Sequence, residues 1–258
     1  MNKHTFQFIL SCLAGGLLAV AVCLFLYPGF VSPLSAFMSL VLPAFLYSVI
    51  IFYVGRWVAE ADSDAASEIS PDVASENFLR PFVKEPFEVV RNSDSKPTSA
   101  RVAYFPFLKK PYIIILSSNA PLMHEKAFLA HEGAHIALGH LAFSQKVRCF
   151  SASFFGASFM LAFSSFNVSL LSFLGMLFAY ACLVVMKRLF LLQKNRQHEF
   201  EADTTASLWV GEDMLFALNY LESHPEIGAL QKGGWFLSHP SLQDRKKNIS
   251  PSLSSELS

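Results

Sequence analysis

The chain has 258 residues, and its 20 Lys+Arg balance 20 Asp+Glu to a formal net charge of zero. Hydrophobic residues make up 53% and charged residues 16%, against about 25% charged in an ordinary soluble domain. This excludes a disordered chain, which needs few apolar residues and much charge, and it leaves no basic surplus for nucleic-acid binding.

Thr5 to Gly55 holds no charged residue. A bilayer needs about 20 apolar residues, so the run is long enough for two spans. Turn chemistry at Tyr27-Pro28-Gly29 and Ser32-Pro33 divides it, giving expected spans at Phe6–Leu26 and Leu34–Val54. Lys3 and Ala19-Val20-Ala21 have the form of a cleavable signal. Apolarity that continues to Leu26, followed by a second run, favours a signal anchor. A further charge-free run, Cys149 to Met186, is most polar at Ser164-Ser165-Phe166-Asn167 and reads as a hairpin of two shorter spans. Buried helices of a soluble core are the alternative; such length without a charge favours the bilayer.

The two turns between spans carry no Lys or Arg, whereas Lys3, Arg56, Lys146, Arg148, Lys187 and Arg188 flank the other ends. The positive-inside rule then puts both termini and every sizeable polar segment in the cytoplasm, as in a bacterial inner-membrane protein. Cys12, Cys23, Cys149 and Cys182 lie in or beside the apolar runs without CxxC spacing, and read as small apolar space-fillers.

The first polar segment opens acidic. Glu60, Asp62, Asp64, Glu68, Asp72 and Glu76 precede Arg80, as in a solvated linker or an exposed helix face. Short strands are expected at Arg101–Phe107 and Pro111–Leu116, the second rich in Ile. A helix follows from Pro121 to Phe143, with Asn119 as its cap. The last polar segment continues the fourth span as a helix through Glu199 to Val210, stopping at Gly211. Another helix opens at Glu212-Asp213, buries Met214, Leu215, Leu218 and Leu221, and ends at His224-Pro225. Ser241 and Asp244 form a variant capping box for a short last helix, and the tail after it is expected to fray.

Ala130-His131-Glu132-Gly133-Ala134-His135 carries the chemistry. Histidines at i and i+4 lie about 40° apart on a helix, one turn above the other, where two imidazoles can grip one zinc. Glu132 projects about 100° away from His131, placed to reach a zinc-held water without being a ligand. The bland alternative is a structural histidine pair. Gly133 costs roughly 1 kcal/mol against Ala in a helix, although a small residue can serve close packing.

A catalytic zinc takes three protein ligands and keeps one open position. The metzincin pattern fails, because Leu138 and Leu141 stand where it needs Gly and His. His140 lies about 140° round the helix from His135 and reads as structural. A distant Glu is the remaining common solution, and Glu199-Phe200-Glu201-Ala202-Asp203 offers one. Glu199 and Asp203 share a helical face: Glu199 can ligate while Asp203 accepts the proton on the far nitrogen of a ligand histidine. Glu201 points about 160° away from Asp203 and reads as solvated. Taken alone, the segment also fits a solvated acidic face.

Together, His131–His135 and Glu199–Asp203 resemble the membrane zinc metalloprotease family of HtpX and the CAAX prenyl protease. Ser238-His239-Pro240-Ser241 with Arg245 resembles the family's His-Pro…Arg segment. Two spans before HExxH and two after it resemble HtpX in particular. The likeness runs from about Pro111 to Asn248, whereas Arg101–Tyr104 lacks the Asn-Ala pair frequent in relatives.

The resemblance implies peptide-bond hydrolysis, with zinc on His131, His135 and Glu199 and with Glu132 as general base. It also implies that His239 donates to the oxyanion; a turn residue before Pro240 is the other reading. Arg245 either pairs with an acid near the site or is solvated. Rival functions are an intramembrane protease, a signalling zinc protease and a non-catalytic membrane scaffold. Charges on both sides of the zinc helix, from His124 to Arg148, speak against burial in the bilayer. An intact Glu132 speaks against a scaffold.

The expected fold is a mainly α membrane protein. It has four transmembrane helices and, by resemblance, a gluzincin-like α+β catalytic domain with a small sheet. The organisation is two spans in 1–56, an acidic linker in 57–100, a catalytic part with the zinc helix in 101–148, a transmembrane hairpin in 149–186, a second catalytic part in 187–250 and a tail in 251–258. Expected partners are zinc, the bilayer, and protein or peptide substrates, membrane proteins above all.

Overall fold

The computed structural model describes residues 3–26, 42, 49, 70–92, 100–117, 122–164, 170–224 and 239–256. Nearly all of the expected second span, the Asn119 cap and most of the expected Ser164–Asn167 turn lie outside them. In chain order the elements are α1 (Lys3–Leu26), β1 (Ser70–Pro71), α2 (Val73–Leu79), β2 (Phe87–Asn92), β3 (Ala100–Tyr104), β4 (Tyr112–Ser117), α3 (Leu122–Ala137), α4 (His140–Ser164), α5 (Leu170–Val210), α6 (Asp213–Ser223) and α7 (Leu242–Glu256). They divide into two compact units, residues 1–60 with 142–188 and residues 61–141 with 189–258.

In the first unit, Lys3–Val22 of α1 is long and apolar enough to cross a membrane, and it is the one such helix among the described residues. Gly15 faces α4 so closely that a Cβ would stand 2.2 Å from the Phe150 carbonyl oxygen. Only glycine permits that approach of two backbones. Cys12 of α1 and Cys149 of α4 are both buried, with free thiols close enough to interact. On the α5 portion of this unit Phe178, Leu183, Val185 and Met186 are exposed.

The second unit holds a four-stranded mixed sheet in the order β1-β2-β4-β3. β4 pairs parallel with β2 and antiparallel with β3, with Val89 opposite Ile114 and Val102 opposite the same residue on the other side. The two-residue period of a strand puts Tyr112, Ile114 and Leu116 on one face. They are buried with Phe87 and Val89 of β2, Leu79 of α2, and Leu129 and Ile136 of α3. The other side of α3 offers Ala127, Phe128 and Ala130, which pack with Ala206 of α5, Met214, Ala217, Leu218 and Leu221 of α6, and Ile249 of α7. Helix α3 is therefore apolar on two sides, wedged between the sheet and the last helices.

Three expectations change. The described part of the presumed acidic linker, 70–92, folds as β1, α2 and β2. Its Asp72 is no solvated charge: it accepts from the Ser75 backbone N–H at 3.0 Å and caps α2, and Arg91 Nε lies 2.7 Å from it. Arg91 also meets Glu125 of α3 at 2.5 Å, tying β2 to that helix. Second, α3 stops at Ala137 rather than Phe143, because Gly139 adopts φ +72° and a new helix begins at His140. Third, α7 runs on to Glu256 through the segment expected to fray.

Other local signals behave as their chemistry requires. Gly211, at φ +60°, ends α5. Asp244 N–H donates to Ser241 Oγ at 3.1 Å while the hydroxyl donates to the Asp244 carboxylate at 2.6 Å, opening α7. Gly133 answers to packing, since a Cβ there would lie 2.9 Å from Leu79 Cδ2 and 3.3 Å from Trp209 Cζ3.

Candidate metal centre

All the groups of this centre belong to the second unit. One turn apart on α3, His131 and His135 bring their Nε2 atoms to 3.2 Å, with ring planes at 88°. Perpendicular rings let the two lone pairs converge. Glu199 of α5 completes a triangle, its Oε2 at 3.5 Å from His131 Nε2 and its Oε1 at 3.5 Å from His135 Nε2. A tetrahedral zinc with bonds near 2.0–2.1 Å needs donors about 3.3–3.4 Å apart. The three side chains fit that requirement, and three donors leave one tetrahedral position for water or substrate.

Asp203 lies one turn beyond Glu199 and is fully buried. Its Oδ1 is 2.9 Å from His131 Nδ1, so it fixes the tautomer that turns Nε2 toward the metal position. Arg245 of α7, also buried, donates Nε–H and Nη2–H to Asp203, both at 2.6 Å, and places Nη1 3.6 Å from Glu199. Of the two roles open for Arg245, pairing with an acid near the site is the one the structure has.

The electrostatics follow from burial against charge. Burial opposes ionisation of Glu199, yet His131, His135 and His239 outweigh it and hold its carboxyl well below the usual range. Burial also works against Asp203, and Arg245 reverses it. For His131, burial disfavours the imidazolium, but Asp203 and Glu199 raise its pKa to about 10. The pocket thus favours positive charge at His131 Nε2, whether proton or metal ion. Glu132 differs: burial dominates and raises its carboxyl above the ordinary value, despite the two histidines nearby. A carboxylate made costlier to ionise by desolvation is a stronger base than one in water.

His239 is half-exposed and sits with Nδ1 3.1 Å from Glu199 Oε1, an ion-pair distance without hydrogen-bond alignment. It therefore reaches the centre rather than lying in a remote turn. His140 departs from the helical-wheel reading. Its Nδ1 lies 2.9 Å from His135 Nδ1, and its Nε2 lies 3.0 Å from Glu201 Oε2. Burial, helped by the imidazoles of His135 and His198, keeps it neutral, with a pKa pushed down to about 3. Glu201 is 44% exposed and yet holds this contact, so it is partly solvated and partly engaged. The readable signal was Gly139, a helix stop that frees His140 from the α3 wheel.

Comparison with known proteins agrees with this geometry. The model of Peptidase family M48 matches residues 82–252. No curated protein matches the chain significantly. Among solved structures, the crystal structure of S. mikatae Ste24p aligns with a TM-score of 0.51 at 16% identity. That alignment covers 80% of this chain and 56% of the other, so the chain spans little more than half of that protein's length. At this identity the likeness is one of fold.

Proposed function

Because the chain belongs to peptidase family M48, we propose that it is a membrane-bound zinc endopeptidase, acting on proteins of the membrane in quality control. One observation carries the reading: His131, His135 and Glu199 present three donors 3.2–3.5 Å apart, next to a half-buried carboxyl, Glu132, that is not needed as a ligand. Zinc held there supplies a polarised scissile carbonyl and a water whose pKa falls to about 7.

The chain's own residues do the rest. Glu132 takes the proton of the attacking water and passes it to the leaving amine. Asp203 orients His131, and Arg245 holds Asp203 ionised and in place. His239 stands at the rim as the donor to the oxyanion; its 3.1 Å approach to Glu199 supports that role.

The membrane setting rests on α1, on the exposed apolar residues of α5, and on the charge-free runs of the sequence. Four spans, with Lys3, Arg56, Lys146, Arg148, Lys187 and Arg188 on the cytoplasmic side of a bacterial inner membrane, satisfy the positive-inside rule. The test is the purified chain in detergent, with casein as the probe. Cleavage should stop on chelation and return with zinc, and Glu199→Ala should hold no zinc. Cleavage indifferent to chelation, or undiminished zinc in Glu199→Ala, overturns the proposal.

A further inference from the structure

The two histidines of the centre are supported differently at their far nitrogens. His131 Nδ1 meets a buried carboxylate, Asp203, at 2.9 Å. His135 Nδ1 meets another imidazole, His140 Nδ1, at 2.9 Å. Behind it, His140 Nε2 lies 3.0 Å from Glu201 Oε2, and the other oxygen of Glu201 accepts from Gln197 Nε2 at 2.7 Å. The ring of His198 lies flat on His140, with centroids 4.0 Å apart and planes at 7°.

His140, His198 and Glu201 bring ligand-type atoms within 4.8 Å of one another. Their geometry is nonetheless unlike that of the first triad. Parallel stacked rings send their lone pairs side by side, whereas the perpendicular rings of His131 and His135 converge. The cluster is built to hold His140, not an ion.

We propose that His140 is the positioning residue of His135, with Glu201 fixing its tautomer. The inference rests on His135 being a metal ligand, as proposed above. A ligand His135 gives its Nε2 lone pair to the metal, so its proton sits on Nδ1 and is donated to His140 Nδ1. His140 then carries its own proton on Nε2 and donates it to Glu201. Every proton in the chain has one acceptor, and no other tautomer of His140 satisfies both contacts. Backbone conformation delivers the residue. Gly139, at φ +72°, has nothing within 4 Å of a would-be Cβ, so it is there for its conformation and not for space. On an unbroken helix His140 would face about 140° away from His135.

The experiment is zinc affinity, by chelator competition on the purified full chain, for the wild type, His140→Leu and His140→Asn. Loss of a group that orients a ligand typically costs ten- to a hundredfold in affinity, and His140→Leu should show about that. The side-chain oxygen of Asn can stand where Nδ1 stood and accept from His135, so His140→Asn should recover most of the loss. Metal-free melting temperatures of the two variants should agree, separating orientation from packing. If His140→Leu does not fold, His140→Ala takes its place beside His140→Asn. Wild-type affinity in the Leu variant, or an Asn variant as weak as Leu, overturns the inference alone. A wild type that holds no zinc overturns the metal-centre reading and this inference with it.

Discussion

Arg245 grips Asp203 through two hydrogen bonds, from Nε to Oδ2 and from Nη2 to Oδ1, each 2.6 Å long and buried. The pair joins α7 to α5, and through His131 Nδ1 it reaches α3. Removing one partner of a buried pair strands the other charge, at a cost of about 3–5 kcal/mol. Arg245→Ala should destabilise the protein by that order, measured as a fall in melting temperature in detergent. Arg245→Lys should recover little of it, since an ammonium cannot reproduce the planar two-pronged contact. A lysine variant that melts like the wild type would contradict this account.

Asp203→Asn tests the same unit from the metal side. The amide keeps an oxygen for His131 Nδ1 but loses the charge that favours a cation beside it. Zinc affinity should drop about ten- to a hundredfold, while casein cleavage at saturating zinc should fall less. Unchanged affinity would remove Asp203 from the support of the centre.

The pH dependence of stability follows from two histidines that titrate in opposite directions in metal-stripped protein. Burial first, then nearby imidazoles, lower His140 from 6.5 to about 3. As pH falls from 6.5 toward 3 the unfolded chain binds that proton and the folded one does not, so stability is lost across this window. For His131, carboxylates overcome burial and raise it from 6.5 to about 10. Its contribution is complete below 6.5 and disappears as pH rises through 10. Melting temperature against pH should thus fall on both sides of 6.5, and His140→Asn should flatten the acid limb only. An unaltered acid limb would sink this assignment.

Gly15 gives a prediction for the first unit. A Cβ 2.2 Å from a backbone oxygen cannot be accommodated by a side-chain turn, so Gly15→Leu must part α1 from α4. Overpacking of this kind costs about 1–3 kcal/mol. Mild oxidation should cross-link Cys12 to Cys149 in the wild type, read by thiol counting, and the Leu variant should cross-link far less. Equal cross-linking in both would show that the helices do not meet at Gly15.

The centre was legible in the sequence because its parts are local. His131, His135 and Glu132 sit within one helical turn and a half, as do Glu199 and Asp203, so spacing alone predicts which side chains share a face. What spacing does not encode is nonlocal. The strand Phe87–Asn92 alternates Phe, Val and charge too briefly to stand out from an acidic stretch, and its pairing with Tyr112–Ser117 on one side and Ser70–Pro71 on the other makes it a strand. The helical wheel misaims His140 because it carries one helix across Gly139, although glycine after an apolar run is a known stop signal. The same wheel logic gives the solvated side of Glu201 correctly but not its contact with His140, a partner that arrives from another helix. For Arg245 the choice between solvent and Asp203 depends on the packing of α7, which spacing does not encode.

The most direct test of the central claim is the Glu132→Gln variant beside the wild type, assayed for bound zinc and for casein cleavage in the same detergent. The ligands His131, His135 and Glu199 are untouched by this change, so the variant should hold as much zinc as the wild type. It should also lose cleavage by about 10²–10⁴-fold, the usual worth of a positioned general base. Full zinc with cleavage at the wild-type rate would contradict the account.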